Sequence, residues 1–230
     1  MIDIHSHCLP ATDDGAKDVN EAILMLEDAR EKGVETVYAT PHCRVYSEEE
    51  LKKAVEERDR AFNALLSEAA ARNAKIPCIK KGFEVYLDKD ITAFDNFREL
   101  CMENTNAMLI EMPVAHWDNF VFGRIESLKA AGIVPIIAHV ERYIGYKNNI
   151  EKALKAEGVI YQVNADAFFG FHRMRFIKKL LKLGKTVVAG SDMHNMKGRR
   201  SLLPEAYKKA IKKNKGYEIM FEKDISALLL

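Results

Sequence analysis

The sequence predicts an α/β fold with a parallel sheet, and three observations support this. Seven short apolar runs alternate with segments of helical periodicity along the 230 residues. Several runs are apolar on both faces, as is typical of parallel strands covered by helices. Potential metal ligands follow nearly every run at its C-terminal end. An open sheet would spread these ligands along a line, so the sequence favours a barrel, where they converge on one mouth.

The predicted strands are short runs rich in β-branched and apolar residues, bounded by polar residues or by glycine. Because helical segments separate them, the strands are expected to pair in parallel through right-handed crossovers. They lie at residues 2–4, 36–40, 78–85, 107–111, 134–138, 160–163 and 186–190.

The helical segments carry recognisable start and stop signals. Asp18 and Ser47 each precede a glutamate by three positions, which is the spacing of a capping box. The first helix is expected to stop near Gly33 and the second to span about 48–72. Further helices are predicted at 120–131, 149–156, 174–183 and 204–213, and the apolar tail 226–230 is expected to pack back onto the barrel.

Composition is that of one ordinary cored domain, expected to span 1–230, since 48% of the residues are hydrophobic. The net charge is +1, which gives no electrostatic argument for nucleic acid or an anionic membrane as the main partner. No apolar run approaches the length of a membrane span, and the N-terminus does not resemble a signal peptide. Four scattered cysteines indicate reduced, mostly buried thiols and a cytoplasmic protein: Cys8, Cys43, Cys78 and Cys101.

Nine residues that can bind metal follow the predicted strands. His5 and His7 stand two apart, which places both side chains on one face of a strand, and Asp192 and His194 have the same spacing. Five of the seven histidines fall at such positions, whereas His172 and His116 do not and are interpreted as surface or loop residues. The candidate ligands are His5, His7, Asp14, His42, Glu84, Glu111, His139, Asp192 and His194.

The chemistry of this set predicts a cluster of metal ions. A single histidine after a strand is usually a loop residue, so the prediction rests on the joint pattern. Imidazole and carboxylate together suit Zn, Mn or Fe, and nine candidates exceed the needs of one ion. Glu84 and Glu111 follow apolar runs, where a carboxylate needs a charged or metallic partner. Two or three ions bridged by carboxylates are therefore expected.

Four motifs resemble one known family along essentially the whole chain. They are IDIHSH at 2–7, DDG at 13–15, AHVERY at 138–143 and SDMHNMKGR at 191–199. These are similar to the PHP (polymerase and histidinol phosphatase) superfamily, and in particular to its bacterial tyrosine-phosphatase branch, the CpsB/YwqE-like proteins of capsule and exopolysaccharide loci. The loops at 43–49 and 115–122 depart from the family pattern.

The resemblance implies a single-domain, distorted, TIM-like (β/α)7 barrel that holds three divalent ions, most commonly Mn, with Fe, Zn and Co as alternatives. It also implies that Arg142 and Arg199 act as catalytic residues by binding the substrate phosphate. The ligand sets carried over from the family are His5, His7, Glu84 and Asp192 for one ion, Glu84, Glu111 and His139 for the second, and Asp14, His42 and His194 for the third.

The function implied is phosphotyrosine hydrolysis by metal-activated water, without a covalent enzyme intermediate. No cysteine has an arginine six positions later, as a cysteine-phosphatase loop requires. The implied substrate is the tail of a bacterial tyrosine autokinase that controls polysaccharide export. His42 or His194 could donate a proton through water, and the oligomeric state stays open. Two alternatives remain, a phosphatase of a small metabolite such as histidinol phosphate and a non-catalytic scaffold.

Overall fold

Parallel strands form two sheets in the computed structural model, which describes residues 1–114, 117 and 119–222; the side chains of Lys147, Asn148 and Lys215 are not described. All the strand pairings described are parallel, which confirms the predicted α/β class. The first sheet has the order β1 (Ile2–Ser6), β2 (Thr36–Ala39) and β4 (Cys78–Lys81). The second has the order β3 (His42–Cys43), β5 (Glu84–Tyr86), β6 (Ala107–Glu111), β7 (Val134–Ile137), β8 (Ile160–Asn164) and β9 (Val187–Gly190).

Each of the seven predicted strands is present, but one of them is interrupted. The run 36–40 is followed after Pro41 by β3, and the run 78–85 is divided between β4 and β5. Proline has no N–H to donate to the ladder, so it interrupts regular pairing at this point. Pairing then resumes with His42 opposite Glu84, which places both side chains at the same end of the sheet.

The segment after β9 returns to β1 and joins the last strand of the second sheet to the first strand of the first. Ser6 pairs in parallel with Met193 in an isolated bridge. The His7 N–H donates to the carbonyl of Met193 at 2.9 Å, and the Asp192 N–H donates to the carbonyl of His5 at 2.8 Å. These bonds hold two pairs of predicted ligands against each other.

Both predicted capping residues begin helices. The Asp18 carboxylate accepts from the N–H of Glu21, and the Ser47 hydroxyl accepts from that of Glu50. Gly33 has φ +92, the left-handed conformation expected just after a helix. The helices are α1 (Val19–Glu31), α2 (Glu48–Ala71), α3 (Asn119–Ala130), α4 (Lys147–Lys155), α5 (Phe171–Lys182), α6 (Leu203–Lys213) and a short α7 (Ile219–Glu222) that the sequence analysis did not predict.

The strands are buried on both faces. One face forms a small apolar cluster that receives a side chain from each of six strands, and the other packs against the helices in the main core. The six inner side chains are Ile4, Tyr38, Leu109, Ile136, Ile160 and Val188. This arrangement leaves the strand C-termini as the place where polar side chains can meet.

Within the described residues, no helix is long and apolar enough to cross a membrane. The tail 226–230, expected to pack on the barrel, and His116 lie outside the described residues.

Candidate metal centre

The inner part of the centre consists of two histidines and two carboxylates from three strand ends. The Nε2 atoms of His5 and His7 lie 3.1 Å apart. Glu84 Oε2 lies 3.1 Å from the first and 3.2 Å from the second of these nitrogens. Asp192 Oδ1 lies 3.7 and 3.4 Å from them. All four side chains are buried.

The other five predicted ligands extend this cluster towards the surface. His42 Nδ1 lies 3.1 Å from Glu84 Oε2. Asp14 Oδ1 lies 3.4 Å from His42 Nε2 and 3.2 Å from His194 Nε2. On the other side of Glu84, His139 Nε2 lies 2.7 Å from its Oε1 and 3.7 Å from Glu111 Oε1. The structure therefore brings all nine predicted residues into one connected cluster, with Glu84 near its centre.

Three groups of these residues have ligand atoms close enough to surround an ion. In each group the atoms lie within 4.8 Å of one another. The groups overlap with the ligand sets implied by family resemblance, but they omit His139 and Asp192 and share His7 and His42 differently, so the division among ions stays a prediction. The groups are His7, Asp14, His42 and His194; His5, His7 and Glu84; and His42, Glu84 and Glu111.

Buried atoms without hydrogen-bond partners show that the cluster fits metal ions. Glu84 Oε2 and His194 Nε2 are fully buried, and neither makes a hydrogen bond within the described part of the protein. Three imidazole nitrogens lie 3.1–3.2 Å from Glu84 Oε2, yet none is aligned as its donor. An unpaired buried carboxylate oxygen is costly, and a cation among these atoms would remove that cost. Mixed imidazole and carboxylate ligands suit a transition metal such as Mn, Fe or Zn.

Two of the candidate ligands have unusual backbone conformations, which direct their side chains towards the cluster. His139 has φ +31 and Asp192 has φ +53, both in the left-handed region that side-chain-bearing residues rarely enter. Each is the second residue after a strand, so the chain turns sharply there and directs the carboxylate or imidazole inwards. Gly190, two residues before Asp192, allows β9 to approach β1, because a Cβ there would lie 2.7 Å from the Cβ of His5. Strain of this kind is often stored at functional sites.

Burial and nearby charged groups together set the protonation states of the cluster. Burial and the neighbouring His7 lower the pKa of His194 to about 4, so its imidazole is neutral near pH 7 and has a lone pair to offer. Burial also lowers the pKa of His139. Burial opposes ionisation of Glu84, but the nearby His5 and His139 hold its pKa well below the usual range. The carboxylate is therefore available as an anionic ligand.

Asp13 is a supporting residue that the sequence analysis did not identify. Its Oδ2 lies 2.6 Å from His7 Nδ1 and accepts from the N–H of His42 at 2.9 Å. Burial raises its pKa, but the contact with His7 outweighs this and lowers the value to about 2. Since an anionic Asp13 keeps the His7 proton on Nδ1, the Nε2 lone pair points into the cluster. The adjacent DDG pair offered two carboxylates, and the fold decides that Asp14 faces the other ligands.

Gln162 and Asn164 form a second supporting network on β8. Gln162 Oε1 accepts from the N–H of His139 at 2.5 Å and lies 3.1 Å from His5 Nδ1. Its amide donates to Asn164 Oδ1 at 2.9 Å, and the Asn164 amide donates to Asp192 Oδ2 at 2.7 Å. A signal was present in the sequence: polar residues two apart in an apolar run share one face of the strand. The network orients three of the nine candidate ligands.

Replacing Gln162 with leucine is expected to weaken manganese binding by about 10- to 100-fold, the usual effect of losing a partner behind a metal ligand. The reason is that His5 Nδ1 and the His139 N–H lose their shared buried acceptor. The measurement is a calorimetric titration of metal-stripped protein with Mn²⁺. Tyr161→Phe is the matched control, because its hydroxyl bonds to the carbonyl of Ala153 on the opposite side of β8. Equal affinity in Gln162→Leu and wild type would contradict the role assigned to Gln162.

The two predicted arginines lie at the open side of the cluster. Arg142 and Arg199 both donate to the Asp192 carboxylate, the second at 3.0 Å. Their side chains are 46% and 40% exposed, so their guanidinium groups can reach both solvent and the ligands. Asn195 holds the loop of Arg199 by accepting from the N–H groups of Lys197 and Arg199. An anion that enters this cleft meets two arginines beside the ligand cluster.

Of the two histidines not assigned to metal, His172 is exposed on α5, which confirms its interpretation as a surface residue. Burial raises the pKa of Glu141, two positions after His139 in sequence, to about 8. The sequence analysis did not identify this buried acid. Its carboxylate accepts from the N–H of Asn164 at 3.3 Å.

Comparisons with known proteins agree with this arrangement. The family profile described as capsular polysaccharide synthesis, CpsB/CapC, matches residues 1–227. Tyrosine-protein phosphatase YwqE of Bacillus subtilis (strain 168) is 31% identical over 214 residues, which cover 90% of this chain and 82% of YwqE. Tyrosine-protein phosphatase CpsB of Streptococcus pneumoniae is 29% identical over 219 residues, which cover 90% of this chain and 88% of that protein.

Solved structures show the same relationship. One solved structure matches with a TM-score of 0.76 at 27% identity, over 93% of this chain and 87% of that chain. It is described as that of YwqE from Bacillus subtilis and CpsB from Streptococcus pneumoniae, unique metal-dependent tyrosine phosphatases. A lactonase of Listeria monocytogenes matches with a TM-score of 0.52 at 13% identity and agrees in fold alone, covering 96% of this chain and 91% of its own. The chain therefore belongs to the CpsB/CapC family of capsular polysaccharide synthesis proteins.

Proposed function

We propose that this chain is a metal-dependent phosphomonoester hydrolase that removes phosphate from tyrosine in proteins. The observation that carries the proposal is the direct contact of Arg142 and Arg199 with Asp192, a member of the nine-residue cluster. Two guanidinium groups beside a metal-compatible cluster suit a phosphate dianion, which needs charge neutralisation on several oxygens. The family relatives named tyrosine-protein phosphatases support the choice of phosphotyrosine.

The finer architecture belongs to the same proposal. We infer one PHP-type domain over 1–230 and a distorted (β/α)7 barrel, supported by the bonds between the end of β9 and β1 and by six strands sharing one inner cluster. We also infer three divalent ions, most commonly manganese, supported by the three ligand groups of the site. The cytoplasmic location stays a prediction from the free thiols.

The protein's own groups would orient the substrate and neutralise its charge. Divalent ions held by the nine-residue cluster would supply an activated water and positive charge to neutralise the phosphoryl group. Arg142 and Arg199 would turn from Asp192 towards the remaining phosphate oxygens, and their hydrogen bonds would strengthen as charge redistributes in the transition state. Gln162 and Asp13 would hold His5 and His7 in the required tautomers. A phenolate leaves readily, so the demand for a proton is modest, and a water molecule hydrogen-bonded to His42 or His194 would meet it.

A cysteine nucleophile does not fit the described site. Burial raises the pKa of Cys8 and Cys43, the two thiols nearest the ligands in sequence, to about 12. Thiolate is the reactive form, so both thiols are inert near pH 7. Cys78 is exposed.

Treatment of the native enzyme with iodoacetamide is therefore expected to modify Cys78 and leave turnover unchanged. Mass spectrometry locates the modified thiol, and phosphate release measures activity on the same sample. Cys78→Ser serves as the control that should abolish rapid labelling. Loss of activity in proportion to the modification of Cys8 or Cys43 would argue for covalent catalysis instead.

The proposed substrate in the cell is the phosphotyrosine-bearing tail of a bacterial tyrosine autokinase in capsule or exopolysaccharide regulation. The CpsB/CapC family assignment supports the capsule context. The test measures phosphate release from a phosphotyrosyl peptide and from histidinol phosphate, with metal-stripped enzyme before and after Mn²⁺ is added.

Manganese-restored turnover that favours the peptide is the expected result. Preference for histidinol phosphate would replace the proposal with a small-metabolite phosphatase. Stoichiometric manganese binding without turnover of either substrate would favour a scaffold role.

A further inference from the structure

The charge of the surface is far less even than the net charge suggests. Ten Lys and Arg residues lie on α5, the turn after it and α6, whereas these segments hold one acidic residue, Glu205. The rest of the chain is therefore net acidic, although the whole carries +1. This asymmetry provides a local electrostatic signal that composition conceals.

A groove runs between these two helices. It has a volume of about 440 Å³ and is lined by basic and aromatic side chains, with the 3-10 helix Ala165–Phe169 at one end. A second depression of about 520 Å³ shares Lys178 and Lys213 with it and extends it along α5. Both of these lysines are exposed, so their charges are available to a ligand.

Two aromatic rings stand at the wall of the groove. Phe171 is 79% exposed and Phe169 is 47% exposed, which is unusual for side chains of this size. Lys209 Nζ lies 4.5 Å from the centre of the Phe169 ring, so a cation covers one of its faces. The groove thus offers apolar contact and positive charge to the same ligand.

The groove begins next to the catalytic cleft. Asp166 lines the cleft that contains Arg142, Asp192 and Arg199, and Phe169 lines the groove. The two residues belong to one 3-10 helix and stand three positions apart, which is about 6 Å along its axis. An extended chain advances about 3.3 Å per residue, so a peptide with its phosphotyrosine in the cleft reaches the groove within a few residues.

We propose that this groove binds the segment next to the phosphotyrosine of the protein substrate, and that this segment is acidic and has an apolar side chain to place against Phe169 and Phe171. The inference rests on the proposed phosphatase function. Charge complementarity identifies the acidic character, and the concave shape between two helices suits a peptide rather than the flat surface of a membrane. Binding here raises the local concentration of substrate at the cleft.

The experiment compares wild type with Lys178→Glu/Lys213→Glu and with Phe171→Ala, all loaded with manganese. Two of the substrates are phosphotyrosyl peptides, one with glutamates N-terminal to the phosphotyrosine and one with glutamates C-terminal to it. The other substrates are a peptide with glutamines in place of the glutamates and p-nitrophenyl phosphate. Lys52→Glu/Lys75→Glu is the matched control, since both lysines are exposed and lie on or just after α2.

The charge reversal is expected to lower kcat/KM about tenfold on one acidic peptide, mainly by raising KM. The loss should be smaller at high salt, because salt screens the attraction between exposed charges. Turnover of p-nitrophenyl phosphate and of the glutamine peptide should stay as in wild type, as should all activities of the control pair. Phe171→Ala should raise KM for peptides alone. Equal kinetics of wild type and charge-reversal variant on both acidic peptides would overturn the proposal.

Two further measurements separate the remaining outcomes. Fluorescence anisotropy with the unphosphorylated acidic peptide tests the groove without turnover, so a failure of the proposed phosphatase function does not hide the result. Weaker anisotropy binding by the charge-reversal variant supports the groove, and equal binding counts against it. Sedimentation with phosphatidylserine vesicles tests whether the groove binds a lipid surface. Loss of vesicle binding on charge reversal, together with unchanged peptide kinetics, would show that the groove binds a membrane and not a peptide.

Discussion

Glu84→Gln is expected to lower phosphotyrosine turnover on the order of 10³-fold, the upper range for removing one preorganised electrostatic group. The reason is position: Glu84 Oε2 lies 3.1–3.2 Å from nitrogens of three histidines, and Oε1 lies 2.7 Å from a fourth. Two of the three possible ligand groups include this carboxylate. Glutamine keeps the shape and removes the charge, so two of the possible ligand groups lose this carboxylate.

Metal content and stability provide the readouts for this variant. Mn²⁺ should raise the Tm of the wild type, because a ligand that binds the folded state stabilises it, and this rise should nearly disappear in Glu84→Gln. Glu103→Gln is the control, since that carboxylate bonds to the N–H of Lys81 away from the centre. A Glu84→Gln protein with wild-type manganese content and turnover would remove Glu84 from the proposed site.

The double variant Arg142→Ala/Arg199→Ala is expected to lose about 10³- to 10⁵-fold in kcat/KM for phosphotyrosine, the effect known for arginines that stabilise a transferring phosphoryl group. Each single variant should lose about 10²-fold, the lower range for one lost donor to developing charge. Manganese binding should persist, because Asp192 keeps the hydrogen bond from Asn164.

Two controls define the role of these arginines. Lysine at either position should restore part of the activity, since it supplies charge without the bidentate geometry of a guanidinium group. Arg72→Ala removes an exposed arginine paired with Glu68 on α2 and should change nothing. Full phosphotyrosine turnover by the double variant would exclude the arginines from phosphate binding.

Local rules predicted most elements correctly because they depend on neighbours in the chain. The caps at Asp18 and Ser47 and the stop at Gly33 need only the adjacent turn, and all three are found. The interruption of the run 78–85 was missed, because the break depends on the partner strand, where Pro41 disturbs pairing. The α5 helix begins at Phe171 rather than at 174, since contacts with the preceding 3-10 helix extend it.

The charged surface shows a different limit of sequence reasoning. A net charge of +1 suggested no electrostatic preference, yet α5 and α6 place five basic residues around one groove and its extension. Charge acts through distance, and distances between residues far apart in sequence are set by packing. The same applies to Gln162, whose importance depends on His5 being 157 positions away in sequence and 3.1 Å away in space.

The sequence by itself determined the strands, the helix caps and the candidate ligands. These features depend on neighbouring residues, through the two-residue periodicity of strands and the polar residues at strand ends. The tertiary structure decided which carboxylate of the Asp13 and Asp14 pair faces the ligands and which supports His7. It also decided that Gln162 and Asn164 connect three ligands, and that His139 and Asp192 adopt left-handed backbone angles. These features depend on closing long loops and packing seven strand runs together, and such contacts join residues that no local pattern relates.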